Sequence, residues 1–168
     1  MQGWAQFYAV VAAVAATLMG LLFVAVSVHA RQSIGPSQDT SRRLSEQALQ
    51  NYLTTVLISM VALIPDGSIR SFGIATVCMT TAAAILTVVR LAMLLRRPDE
   101  KIGRWRSIRR YSTSFLAYTM LIYSAVRMSF GDSDHRTMVA ISLLVLLSSA
   151  TMVSWSLLLR IADEPAAP

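Results

Sequence analysis

TMVAISLLVLLSSATMVSWSLLL, residues 137–159, runs for 23 positions without an Asp, Glu, Lys or Arg. A helix of that length is about 35 Å long, enough to cross a hydrocarbon core of ~30 Å. Arg136 and Arg160 bound it, so charge is excluded from the run and concentrated at its ends. Four further uncharged runs lie upstream at residues 1–30, 47–65, 71–89 and 111–126, with lengths of 30, 19, 19 and 16. They are too long and too continuously apolar for the alternating strands of a membrane barrel. Lipid offers the backbone no hydrogen-bond partner, which leaves helices as the remaining way across.

Composition agrees with this reading. Of 168 residues, 55% are hydrophobic and 14% charged, where soluble domains carry about a quarter charged residues. The expectation is an all-α integral membrane protein, a bundle of five transmembrane helices over residues 4–30, 46–65, 71–95, 111–130 and 137–160. The fourth run is the shortest and needs Arg127 at its edge. The alternative is therefore four spans plus a re-entrant or interfacial helix. Residues 96–110 read as a basic cytoplasmic loop and residues 162–168 as a disordered tail. Pro65-Asp66-Gly67-Ser68 and Gly131-Asp132-Ser133-Asp134 read as tight turns joining antiparallel neighbours.

Charge sets the expected orientation. With five spans, the loops after the first and third and the C-terminus carry 12 of the 15 basic residues. The other side carries Arg70, Arg127 and Arg136. Basic loops stay in the cytoplasm, which places the N-terminus outside and the C-terminus inside. Fourteen of the 15 basic residues are Arg, a bias that fits a GC-rich bacterial genome and hence a multi-pass protein of the bacterial inner (plasma) membrane. Val28-His29-Ala30 resembles a signal-peptidase site. No basic residue precedes the apolar run, however, and that run exceeds the usual h-region of ~7–15 residues, so a retained first helix is expected.

Three sets of residues stand out. Ala12, Ala16 and Gly20 recur at four-residue spacing, with Ala5, Ala9, Ala13 and Thr17 on the adjoining ridge. Such a face allows close helix approach in lipid. It serves either packing within one chain, the commoner use, or self-association. Thr76, Thr80, Ala83, Thr87 and Arg90 fall within about 80° of one another around a helix. Asn51, Thr54 and Thr55 form a polar counterpart on the second span, beside Glu46, Gln50 and Ser59, and Ser142, Ser149 and Ser156 recur at heptad spacing on the fifth. These hydroxyls and amides either line a pore or bond across helices, the latter being the commoner case. Lys101, Arg104, Trp105, Arg106, Arg109 and Arg110 form a basic, Trp-bearing segment suited to anionic lipid headgroups or to fixing topology.

Catalytic constellations are missing from the sequence. It has no H-E-x-x-H, no G-x-S-x-G, no Cys/His ligand cluster and no phosphate-cradling glycine loop. His29 and His135 fall on opposite sides of the expected topology. Cys78, the single cysteine, is expected to be a buried, inert thiol. No cofactor, metal or enzymatic activity is expected. The basic charge sits in one loop pinned to a membrane, which argues against nucleic acid as a partner.

The run Ala16-Thr17-Leu18-Met19-Gly20-Leu21-Leu22-Phe23-Val24-Ala25-Val26-Ser27-Val28, followed by Met60-Val61-Ala62-Leu63-Ile64-Pro65, resembles the first two helices of small bacterial multi-span membrane proteins of unknown function. Some of that group carry the description of modulators of the membrane protease FtsH. The resemblance covers roughly the first 65 residues and implies action on another membrane protein. Together these features predict a non-catalytic polytopic protein that works by helix–helix interaction with itself or with another membrane protein. The alternatives are a homo-oligomeric ion or small-solute channel lined by Thr, Ser and Asn, and an anionic-lipid surface sensor.

Overall fold

The computed structural model describes residues 2–29, 37–65, 67–95, 101–132 and 134–163, with side chains over 4–28, 44–65, 67–93, 112–132 and 134–159. Within them the chain forms five helices, α1 (Gln2–His29), α2 (Ser37–Ala62), α3 (Ile69–Leu95), α4 (Lys101–Ser129) and α5 (Arg136–Asp163), and no strand. Three are long and apolar enough to cross a membrane, over Trp4–Val28, Ile69–Met93 and Arg136–Leu159. α2 and α4 are of similar length, at 26 and 29 residues, but their sequences are more polar. α2 carries Gln47, Gln50, Asn51, Thr54 and Thr55 mid-helix, and the first half of α4 is basic.

The element boundaries differ from the sequence reading at both polar segments. α4 starts at Lys101, so residues 101–110 of the basic loop segment are helical and continuous with the following run. The only weak helix former inside that segment is Gly103, and Pro98 lies before it, so nothing breaks the helix. α2 likewise begins nine residues before the expected boundary at residue 46, because Ser, Thr, Gln and Arg propagate a helix even where they are too polar for lipid. Ala162 and Asp163 belong to α5, and the rest of the expected tail lies outside the described residues.

The turns have identifiable chemistry. Ser68 caps α3, its Oγ accepting from the Ser71 backbone N–H at 3.1 Å. At the end of α4, Gly131 has φ 95°. Its N–H donates to the Met128 carbonyl at 2.9 Å, and the Asp132 N–H donates to the Arg127 carbonyl at 3.3 Å. That pair of bonds is a Schellman ending, which needs a residue tolerant of the left-handed conformation. Asp132 then organises the entry to α5. It accepts from the Asp134 N–H at 3.1 Å, from Arg127 Nη2 at 3.0 Å, and lies 3.2 Å from His135 Nδ1. The Asp134 N–H, ahead of His135 and Arg127, holds the Asp132 carboxyl below the usual carboxylate range.

Packing gives a ring of four helices, α2–α3–α4–α5, closed by contact between α5 and α2, with α1 lying outside it against α2 and touching α5. The expected α2/α3 and α4/α5 neighbours are both present. One apolar core, with Ala15, Leu22, Ala48, Tyr52, Val153 and Leu157, joins α1, α2 and α5. The other, with Tyr118, Leu121, Met128, Val139 and Leu143, joins the ring helices and takes in Tyr8 of α1. The outer surface is apolar as well. Phe23 on α1, Met60 on α2, Ile85 on α3, Leu116 on α4 and Met152 on α5 are all exposed. Water-soluble monomers rarely present continuous apolar surface on every side.

Candidate functional site

The densest polar chemistry lies inside the ring, where α2 faces α3 and α4. Asn51 is its hub. Its Nδ2 donates to Ser114 Oγ at 3.0 Å, and its Oδ1 accepts from the Tyr118 hydroxyl at 2.7 Å. Asn51 and Tyr118 are 1% and 0% exposed. Gln47, one turn earlier on α2, donates to the same Ser114 Oγ at 3.4 Å. With both Ser114 lone pairs taken by amide donors, its own proton is left for Ser149 Oγ on α5, 3.3 Å away. Three ring helices are thus joined through one hydroxyl.

A second branch runs from α2 to α3. Gln50 Nε2 donates to the Ala83 carbonyl at 2.7 Å and to Thr87 Oγ1 at 3.0 Å. Arg90 Nη1 donates to Gln50 Oε1 at 2.6 Å and to the Glu46 carbonyl at 3.4 Å. The Arg90 and Glu46 side chains approach to 4.0 Å and are half-buried. Arg90 folds back onto α2. A delocalised guanidinium with several donors suits this multi-acceptor position.

All the polar-stripe residues singled out from the sequence are thereby located. Asn51, Thr54, Thr55, Thr76, Thr80 and Thr87 are buried inside one chain, and Arg90 closes one end of the cluster. Thr54 and Thr55 donate to the carbonyls of Gln50 and Asn51 at 2.8 and 2.9 Å. Ser142 and Ser156 bond within α5, while Ser149 joins the cluster. Sequence reasoning missed Ser114 and Tyr118. Their four-residue spacing on α4 was the available signal, since it sets two polar side chains on one face of an otherwise apolar helix.

The small residues of α3 lie at a close helix contact. A Cβ placed on Gly73 would lie 2.6 Å from the Ser129 nitrogen and 2.8 Å from the Ala125 carbonyl oxygen. The row Gly73, Thr76, Thr80, Ala83 and Thr87 therefore lets α3 approach its neighbours closely. On α1 the situation is reversed. The face that packs within the chain is Tyr8, Val11, Ala15 and Leu22. Ala12 is half-buried, whereas Ala16 and Gly20 lie on the outer surface, and a Cβ on Gly20 would meet nothing within 4 Å. Packing within the monomer, the commoner reading, does not account for them, because a heptad-like set offset by one residue makes the contact with α2.

Cys78 is exposed on the outside of α3, which corrects the expectation of a buried thiol. It falls between Thr76 and Thr80, on the opposite side of the helix from their shared face. Lys101, Arg104, Trp105, Arg106, Arg109 and Arg110 lie on the first turns of α4, and their side chains are outside the described set. Among the described residues no group of three or more His, Cys, Asp or Glu is placed to hold a metal ion. No protein-family model, curated protein or solved structure matches this chain.

Proposed function

We propose that this chain is a non-catalytic polytopic protein of the bacterial inner membrane that works by helix–helix association, with α1 as the interacting element. All five helices cross the bilayer, with the N-terminus outside and the C-terminus in the cytoplasm. α2 and α4 cross because the ring shelters their polar side chains, so neither has to meet the apolarity that a lone span needs. The single observation that carries the function is the outward small-residue face of α1, Ala16 and Gly20 above all. This face is left unused by the contacts of α1 with its own chain. Small residues on a lipid-facing surface gain nothing from lipid, but they let a second helix backbone approach within van der Waals distance. The resemblance of the first 65 residues implies another membrane protein as the target; a second copy of the chain is the alternative.

Burial of the Thr and Asn stripe within one chain weighs against a pore shared between subunits. Cysteine crosslinking in lipid tests the association. In a Cys78→Ser background, Gly20→Cys should give crosslinked species, with itself or a co-purifying protein, whereas Ile85→Cys on the lipid side of α3 should not. Gly20→Ile should reduce association several-fold. A chain that stays solitary in native mass spectrometry from lipid, with no crosslink at Gly20, removes this reading.

A further inference from the structure

Three buried hydroxyls in the ring, those of Ser59, Thr76 and Thr80, behave unlike the rest. Thr54, Thr55, Thr87, Ser124 and Ser142 each donate to the carbonyl four residues earlier in their own helix. Thr76 and Thr80 are 0% exposed, and neither Oγ1 has a partner. A buried hydroxyl left without a partner is costly, and natural proteins resolve such groups with ordered water that has two to four polar contacts.

The surroundings fit that solution. Thr76 and Thr80 are one helical turn apart, on the face of α3 whose next members are Ala83 and Thr87. The Ala83 carbonyl and Thr87 hydroxyl both accept from Gln50, and Gln50 in turn accepts from Arg90. α2 and α3 are antiparallel, so moving from Thr87 back to Thr80 on α3 moves forward on α2 from Gln50 to the level of Thr54. At one end Arg90 and Glu46 are half-exposed. At the other the α3 and α4 backbones meet at Gly73, with no space for even one added carbon.

We propose that the α2–α3–α4 junction binds buried water, anchored by the unpartnered hydroxyls of Thr76 and Thr80, between the Gln50–Arg90 bonds at one end and the Gly73 contact at the other. It is a hydrated site within one chain and goes beyond the association function, because it uses no residue of the α1 face. The ligand class is water itself.

Radiolytic hydroxyl-radical footprinting in nanodiscs tests it, since bound water labels the side chains next to it. Tyr118, fully buried beside Asn51, should be oxidised several-fold faster than lipid-facing Met152, although thioethers are intrinsically reactive. The Thr76→Val/Thr80→Val variant should lose most of that labelling, and Thr76→Ser/Thr80→Ser should keep it. Tyr118 labelled no faster than Met152 overturns the proposal. So does labelling that is unchanged in a folded valine variant. Should the valine variant fail to fold, the wild-type comparison of Tyr118 with Met152 still decides.

Discussion

Asn51 spends its amide on two partners from a different helix, Ser114 and Tyr118. Interhelical polar contacts in membranes contribute about 0.6 kcal/mol each on average. Deleting one partner of a buried pair costs more, about 1–3 kcal/mol, because the survivor stays desolvated and unpaired. Here the survivors are fully buried, so the larger figure governs. Asn51→Leu should destabilise the fold by about 2 kcal/mol in a reversible unfolding assay. Tyr118→Phe added to Asn51→Leu should cost less than the two single losses combined, the mark of a shared interaction. That Asn51, Thr54 and Thr55 are polar residues in an apolar run was legible in the sequence. Their partners were not, because a 3.6-residue period fixes which face a residue occupies and says nothing of which helix that face meets. Cys78 shows the same limit, since it was expected in the interior and faces outward.

At the scale of elements, glycines do two distinct jobs. Gly73 permits backbone contact between α3 and α4, and Gly73→Ala should separate the two helices and cost about 1–3 kcal/mol, as overpacking does. Gly20→Ala should leave the unfolding of the single chain unchanged, since nothing lies within 4 Å. The α4–α5 turn carries a pH dependence. The Asp132 carboxyl is held below its ordinary value, first by the Asp134 N–H. Its contribution to the turn is therefore complete above the unfolded carboxylate value near 4 and is lost as pH falls through the lower folded value. Asp132→Asn should flatten the acid limb of the stability profile, read by thermal unfolding between pH 2 and about 5. Turn positions were readable from Pro65-Asp66-Gly67-Ser68 and Gly131-Asp132 because breakers act locally. The start of α4 was not, because charge marks where a helix leaves lipid, not where it begins.

For the whole molecule, an odd number of crossings puts the two ends in different compartments. Reporter fusions at each terminus should give opposite signals, with the C-terminal one cytoplasmic. Equal signals would support the four-span alternative. Five helices were visible in the spacing of charges, whereas the ring of four with α1 outside was not. That arrangement depends on lateral contacts between residues far apart in the chain.

The outlying place of α1 bears on how α2 is covered. α1 precedes α2 in the chain and is the most apolar of the three helices long and apolar enough to cross a membrane. The two flanks of α2 are not alike. Its apolar flank, with Ala48 and Tyr52, finds cover on α1, but Asn51 pairs with Ser114 and Tyr118, more than 60 residues downstream. The helix outside the ring thus covers one flank of α2 from next door in the chain, whereas the other flank is satisfied only by α4, far along the sequence.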